Sequence, residues 1–165
     1  MTRLKDSSMD DSILRNRLMD FHASYVRCID TDNLENWPSH FTQQCHYRVT
    51  NADNERDGLP AGLMFATSRA MLEDRVSALR HANIYERQRY RHIVGQSSIL
   101  KSGPQHAECE TPFMVARIVQ SDDTSLFATG IYKDVFDFGG ERVLLKQRVV
   151  VCDSCRIDTL LAIPL

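Results

Sequence analysis

Residues 68–92 divide the chain into a helical part and a strand-rich part. The first turns of this stretch form an amphipathic helix, because Leu72, Val76 and Leu79 fall on one side at about 100° per residue. The sequence before the stretch has helical periodicity, and the sequence after it is rich in β-branched and aromatic residues. Helices first and strands afterwards are typical of an α+β domain.

The N-terminal part predicts two helices, a strand and a loop. Apolar residues recur at spacings of three and four over residues 12–29, which predicts a long helix, and residues 34–41 predict a short one. Alternation over residues 45–50 is typical of a half-buried strand. Residues 51–62 are polar and rich in turn formers, so we expect a surface loop, followed by a short strand at residues 63–65.

The C-terminal part predicts a meander of strands. Turn signals at residues 101–104, 121–124 and 138–140 divide it into four long antiparallel strands joined by hairpins. Pro112 lies inside the second run, so that strand should be bulged or on an edge there. Residues 157–165 are too apolar for a free tail and should dock on a neighbour. A long, curved, mostly antiparallel sheet wrapped on helices makes a cone with an interior.

Length and composition predict one globular domain over residues 1–165. Lys and Arg number 20 against 22 Asp and Glu, so the net charge of −2 does not favour nucleic acid or a membrane surface as a partner. No apolar run approaches the roughly 18 residues of a membrane span, and the N-terminus lacks a signal-peptide core. We therefore expect a cytoplasmic protein.

Arginines mark two positions around the central helix. Arg75 projects into the apolar arc, where a guanidinium is expected only if it is ion-paired, snorkels to solvent or lines a polar cavity. A structural ion pair is favoured over a ligand contact, because long charged side chains are rarely buried unpaired. Arg87, Arg89 and Arg91 follow with tyrosines between them, and both residue types are enriched at protein interfaces. This corner is predicted to be a docking surface.

The sequence contains no self-contained catalytic motif. It has no Gly-rich phosphate loop and no G-x-S-x-G elbow, and no two of its six histidines are four residues apart. Cys152 and Cys155 form a lone C-x-x-C without a second ligand pair, which disfavours a metal or redox role. His22 flanks the buried face of the first helix and is interpreted as structural. An acid–base site in the cone could be built only from Tyr25, Asp30, Tyr47, His92 and Glu110, with Arg75 nearby.

Several short segments occur in a specific order and spacing. They are residues 37–41 and 45–50 before the helix, MLEDRV at 71–76 through Leu79, ANIYE at 82–86, YRHI at 90–93, GIYKD at 130–134 and RIDTLLAIP at 156–164. Together, over about residues 11–165, they resemble the small (beta) subunit of aromatic-ring-hydroxylating dioxygenases, the Rieske non-haem iron oxygenases.

Two of these segments are informative about the branch of the family. ANIYE and the following Tyr-Arg-His look most like the subunits of salicylate 5-hydroxylase, anthranilate, ortho-halobenzoate and terephthalate dioxygenase systems. The naphthalene, biphenyl and benzoate branches usually carry a Pro-Ser-Arg-Arg-His-like stretch there, and this chain departs from it. The resemblance therefore implies a carboxylated monocyclic aromatic substrate rather than a hydrocarbon.

The resemblance implies a cystatin-like or nuclear-transport-factor-2-like (NTF2-like) cone that packs beneath a large alpha subunit in an α3β3 hexamer. The alpha subunit would hold the 2Fe-2S Rieske cluster and the mononuclear non-haem Fe(II) and would bind the substrate. The beta subunit would be structural, without catalytic, cofactor-binding or metal-binding residues. It would self-associate as a trimer. A ferredoxin and a reductase would be its indirect partners.

The resemblance also suggests roles for Arg75 and for the arginines that follow the central helix. Asp74 and Arg75 are assigned to a structural ion pair in or beside the cone. Residues at or near the subunit contacts are predicted to be Tyr85, Arg87, Arg89, Tyr90, Arg91 and His92.

One alternative is a free-standing cone enzyme similar to ketosteroid isomerases, scytalone dehydratase or polyketide cyclases, which would work by proton transfer. It requires an open, ligand-sized pocket in the cone with a carboxylate of raised pKa or a histidine at its floor. Bulky side chains that fill the cone would count against it, and the candidates are Tyr25, Trp37, Phe41, Tyr47, Phe113 and Phe136.

Overall fold

The computed structural model describes residues 10–60, 62–81, 87–155 and 161–165. Its N-terminal elements are α1 (Asp11–Asp30), a 3₁₀ helix (Leu34–His40), β1 (Phe41–Asn51), α2 (Ala52–Arg56), β2 (Met64–Ser68) and α3 (Arg69–His81). Five strands follow: β3 (Gln88–Val94), β4 (Ser98–Ser102), β5 (His106–Val119), β6 (Thr124–Asp137) and β7 (Leu144–Cys152).

The predicted helices are confirmed. The observed ends of α1 and of the 3₁₀ helix lie within one or two residues of the predicted ends. The Asp10 carboxylate caps α1 by accepting a hydrogen bond of 2.9 Å from the Ser12 amide. The residues that carried the helical spacing are buried in both long helices: Leu14, Leu18, Phe21, Tyr25 and Ile29 in α1, and Leu72, Val76 and Leu79 in α3. These faces pack on the curved sheet, and the apolar periodicity of the sequence therefore places the helices correctly.

Seven strands form one mixed sheet in the order β2-β1-β7-β6-β5-β3, and β4 also pairs with β5. Every pairing is antiparallel except that of β1 with β7, which is parallel. The α+β class and the mostly antiparallel sheet are confirmed. The parallel pair was not predicted, because a pairing between the first and last strands leaves no local signal in the sequence.

The first predicted strand of the meander is broken in two. β3 ends at Val94 and β4 begins at Ser98, and both pair with β5. The Gly95 amide donates to the Pro112 carbonyl at 2.8 Å, and a Cβ at Gly95 would lie 2.8 Å from the Pro112 ring. Pro112 has no amide hydrogen to continue the ladder on that side.

The prediction that the strand is bulged or on an edge at Pro112 is confirmed in its second form. β5 is an interior strand of the sheet, but β3 pairs with its residues 113–119 and β4 with its residues 107–110, so Pro112 lies at a local edge between them. The irregular register of β5 with β6 lies between Val115 and Ala116. The proline is accommodated because the neighbouring strand breaks.

The loop predicted at residues 51–62 is wrong in part, because it contains the short helix α2. The Asn51 side chain caps the first turn of α2 by accepting a hydrogen bond of 2.8 Å from the Asn54 amide.

The C-terminal segment, defined here as residues 161–165, lies inside this chain. All five of its residues are buried, and Leu165 is fully inaccessible to solvent. The expected docking of the apolar end is therefore met by the chain's own core, whereas residues 157–160 of that prediction lie outside the described residues. Among the described residues, no helix is both long enough and apolar enough to cross a membrane.

Candidate functional site

The interior of the cone is filled with aromatic side chains. The six bulky residues suggested from the sequence are all buried: Tyr25, Trp37, Phe41, Tyr47, Phe113 and Phe136. Each of these rings packs against another aromatic ring of the core. The centroids of Trp37 and Tyr47 are 5.2 Å apart, and those of Phe113 and the buried Tyr132 are 4.3 Å apart. The region in which a cone enzyme would hold its substrate is packed as a hydrophobic core.

The C-terminal segment closes one end of this core. The hydroxyls of Tyr25 and Tyr47 donate to the Leu165 carbonyl at 3.0 Å and 3.1 Å, and the Leu165 amide donates to the Tyr47 oxygen at 3.2 Å. Burial raises the pKa of both tyrosines. Two members of the suggested acid–base set therefore serve as structural hydrogen-bonding groups.

Arg75 also holds the C-terminal segment. It is half-buried, and its Nη2 donates to the Leu161 carbonyl at 2.9 Å. Burial lowers the pKa of the guanidinium. Asp74, at the preceding position of α3, is exposed. Its pairing with Arg75 stays a prediction.

A buried ion pair lies at the centre of the cone. Arg148 on β7 donates from Nε and Nη2 to the two carboxylate oxygens of Asp134 on β6, each at 2.8 Å. Both side chains are fully buried. The guanidinium carbon lies 4.1 Å from the centroid of the Tyr25 ring and 4.0 Å from that of Tyr132. Burial lowers the pKa of Arg148, but the bonds to Asp134 outweigh burial, so its pKa lies above the ordinary value.

His22 joins this pair to the polar groups of neighbouring elements. Its Nδ1 is 3.3 Å from Arg148 Nη2, and its Nε2 is 3.3 Å from both Thr111 Oγ1 and Ser97 Oγ. Burial, followed by the charge of Arg148, lowers the pKa of His22 to about 3. Because a guanidinium can only donate, Nδ1 is the acceptor and Nε2 carries the proton. The imidazole is thus held neutral in one tautomer.

Asp30 and His92 form a second buried pair, at the edge of the sheet. Nδ1 of His92 lies 2.6 Å from one carboxylate oxygen of Asp30, and the His92 amide donates to the other at 2.9 Å. The two side chains are at most 4% exposed. The pair ties the end of α1 to β3, which is the terminal strand of the main path of the sheet.

The suggested acid–base set is therefore not one site. Tyr25 and Tyr47 bind the C-terminal segment, Asp30 and His92 bind each other at the sheet edge, and Glu110 is half-buried on the face of β5 opposite to Cys109 and Thr111. These groups do not converge on a common reacting atom.

The predicted docking corner divides between two faces of β3. The side chains of Arg87, Arg89 and Arg91 are exposed, whereas those of Tyr90 and His92 are buried on the opposite face. Tyr85 lies outside the described residues. The three arginines, named here the arginine row, present their charge to solvent, and their role at a subunit contact stays a prediction.

The side chains that ligate metals are dispersed. Within residues 10–60, 62–81, 87–155 and 161–165, no three His, Cys, Asp or Glu side chains are grouped so that they could hold a metal ion. The C-x-x-C thiols are separated, since Cys152 is buried and Cys155 is exposed, with its Sγ donating to Asp53 at 2.9 Å.

Sequence reasoning missed Asp134 and Arg148. A signal existed for each of them. Asp134 occupies an inward position of β6 between Tyr132 and Phe136, and Arg148 begins the buried apolar run of β7. A charge of each sign at inward positions of neighbouring strands predicts a buried pair once those strands are known to be adjacent.

The geometry defines a class of protein: an NTF2-like cone whose centre is packed with aromatic side chains. The fold alone is shared with a scytalone-dehydratase-type structure from Novosphingobium aromaticivorans, at a TM-score of 0.67 and 14% identity over 87% of each chain. The family is more specific. The model of the ring hydroxylating beta subunit matches residues 25–159, and the chain belongs to this family.

Two relatives and one solved structure show the similarity in detail. The chain is 51% identical to the terephthalate 1,2-dioxygenase terminal oxygenase component subunit beta 1 of a Comamonas species, over 88% of this chain and 94% of the relative. It is 34% identical to the anthranilate 1,2-dioxygenase small subunit of Burkholderia cepacia, over 86% and 88%. A beta subunit assigned to an aromatic-ring-hydroxylating dioxygenase of N. aromaticivorans superposes with a TM-score of 0.87 at 37% identity, covering 93% and 98%.

Proposed function

We propose that this chain is the small, structural subunit of the terminal oxygenase component of a Rieske-type aromatic-ring hydroxylase. The similarity to the Comamonas subunit, at 51% identity over 88% of the chain, carries the proposal. The filled cone supports it, because a core packed with aromatic rings suits a scaffold. Catalysis then belongs to a large alpha subunit, and this chain stabilises the assembly.

The substrate class is a carboxylated monocyclic aromatic compound of the terephthalate, anthranilate or salicylate type. Both relatives at 30% identity or more that are described above are subunits of enzymes named for such acids. The resemblance of residues 82–86 and 90–92 to the same branch agrees with this choice. The reaction is an oxygen-incorporating step of aromatic catabolism.

The assembly is an α3β3 hexamer in which this chain also contacts its own copies as a trimer. The 2Fe-2S Rieske cluster and the mononuclear Fe(II) belong to the alpha subunit, and a ferredoxin and a reductase supply electrons to that subunit. The ligating side chains described in this chain do not fit either group, because they are dispersed through the fold. The assembly is cytoplasmic, and residues 1–165 act in it as one domain.

A free-standing cone enzyme is not favoured. That function needs an acid or base that can exchange a proton with a substrate. His22 is a poor base, because burial and the charge of Arg148 lower its pKa to about 3. Tyr25 and Tyr47 are occupied by the C-terminal segment, and Asp30 and His92 are occupied by each other. The likeness to the scytalone-dehydratase-type structure, at 14% identity, concerns the fold alone.

The proposal is tested by purifying the complex from its native host. A tag placed before Met1 leaves the buried C-terminal segment undisturbed. We expect an iron-containing, brown complex with a mass near that of an α3β3 hexamer. A colourless homo-oligomer without a larger partner chain would overturn the proposal and would direct attention to Asp30, His92 and Arg75.

The arginine row is expected to contribute to the contact with neighbouring subunits. Charge reversal of Arg87, Arg89 and Arg91 to Glu should reduce recovery of the partner subunit by at least about tenfold, because an interfacial charge facing its own sign is strongly unfavourable. Recovery is measured by quantifying the co-purified large chain.

The matched control reverses three other exposed basic residues, Lys101, Arg142 and Lys146, and so changes the net charge equally. Circular dichroism verifies that both triple variants are folded. Equal recovery from the two variants would show that the arginine row has no specific role at the contact.

A further inference from the structure

A cavity of about 480 Å³ opens between the middle of α1 and the connection from β3 to β4. Its volume lies within the range of roughly 300–1,000 Å³ that is typical of small-molecule sites. Its walls are mostly apolar, and its polar groups come from His22, Ser97 and the exposed Gln96. The apolar lining consists of Met19, Ala23 and Val26 on α1 and Val94 on β3.

The cavity runs from the surface to a buried polar end. Met19 is 61% exposed, whereas His22 is 4% exposed. At the polar end, the proton on His22 Nε2 is shared between Ser97 Oγ and Thr111 Oγ1, each at 3.3 Å, while the two hydroxyls lie 2.8 Å apart. Contacts of 3.3 Å are long for a hydrogen bond, so the imidazole N–H is weakly satisfied. A ligand oxygen could accept that proton more strongly.

The two arginines near the polar end, Arg15 and Arg148, do not line the cavity. Arg148, the cation behind His22, is bound at both carboxylate oxygens of Asp134. Arg15, whose Nη1 is 3.4 Å from the Ser97 carbonyl, is directed to the backbone. His22 is neutral at pH 7, because burial and Arg148 lower its pKa to about 3. A carboxylate at this end would be desolvated without a free cation, which is costly.

We propose that this cavity binds a neutral, hydroxyl-bearing monocyclic aromatic compound, a phenol, with its ring between α1 and β3 and its hydroxyl at His22 and Ser97. A hydroxyl matches the polar end because it accepts from the His22 N–H and donates to the Ser97 oxygen. An apolar cavity of roughly 150 Å³ suffices for benzene, so this volume holds a substituted ring. The inference concerns this chain alone and does not rest on the proposed function.

The test measures binding of phenol, benzoate and benzene to the complete chain by ligand-observed NMR at pH 7.5. Phenol should bind saturably and at least about tenfold more tightly than benzoate, which corresponds to about 1.4 kcal/mol. Ala23→Phe fills the cavity from an exposed helix position and should weaken phenol binding at least about tenfold. Ser97→Ala should weaken phenol binding about threefold or more and leave benzene binding unchanged, because only phenol loses a hydrogen bond.

Asn16→Phe is the matched control, since it adds the same side chain at an exposed α1 position that does not line the cavity. It should leave phenol binding unchanged. The proposal is overturned if benzoate binds as tightly as phenol, if Ala23→Phe has no more effect than Asn16→Phe, or if phenol shows no saturable binding. Benzoate binding that is lost on Arg15→Met would identify an anion site instead.

Discussion

The Arg148→Met variant is expected to lose about 3 to 5 kcal/mol of unfolding free energy, because it leaves the Asp134 carboxylate buried without its partner. Asp134 and Arg148 are both fully buried, and two hydrogen bonds of 2.8 Å disappear together. Two aromatic rings also lose the guanidinium that packs between them. Urea denaturation at pH 7.5 and a fixed protein concentration measures the loss.

Two further variants distinguish the destabilisation caused by an unpaired buried charge from that caused by lost packing. Arg91→Met removes an exposed arginine of β3 and should change stability by no more than about 0.5 kcal/mol. The double variant Arg148→Met with Asp134→Leu removes both charges and should recover more than half of the loss, since no unpaired charge remains. If the double variant is no more stable than Arg148→Met, loss of packing rather than the unpaired charge accounts for the destabilisation.

Stability is also expected to fall as the pH is lowered, chiefly through His22. Its folded pKa of about 3 lies below the ordinary value of 6.5, so the unfolded chain binds a proton more readily than the folded chain. The contribution of His22 is therefore complete above pH 6.5 and is lost as the pH falls toward 3. Between pH 7.5 and pH 5 the loss is about 2 kcal/mol. Burial lowers the pKa of His40 as well, which acts in the same direction.

The measurement compares urea denaturation at pH 7.5 and pH 5 for the parent chain and two variants. His22→Gln should show a pH dependence smaller by about 2 kcal/mol, because the titrating group is gone. His106→Gln, which changes an exposed histidine, should keep the parent dependence. An unchanged dependence in His22→Gln would mean that other groups cause the acid lability.

Local patterns in the sequence predict the local structure well. The spacing of Leu14, Leu18 and Phe21 predicts α1, and that of Leu72 and Val76 predicts α3, because one face of each helix must be apolar to pack on the sheet. The alternation over residues 45–50 likewise places Cys45, Tyr47 and Val49 on the buried face of β1.

Pairings between residues far apart in the chain could not be predicted from such local patterns. The parallel pairing of β1 with β7 depends on two strands that are far apart in the chain, and the ion pair of Asp134 with Arg148 is visible only once β6 and β7 are adjacent. The same holds for His92, whose partner Asp30 is 62 residues away. Chemistry-bearing residues could be selected from the sequence, but their grouping required the tertiary structure.

The C-terminal segment has a consequence for how the protein is made. The Leu165 carbonyl is bound by Tyr25, 140 residues earlier, and by Tyr47, 118 residues earlier. Contacts of such sequence separation close late and slow the folding of a domain. During synthesis, the helices and the first strands leave the ribosome with an open, apolar cone that cannot close until residues 161–165 follow. Before residues 161–165 have emerged, the chain exposes apolar surface that this segment covers in the folded protein, and exposed surface of this kind favours aggregation.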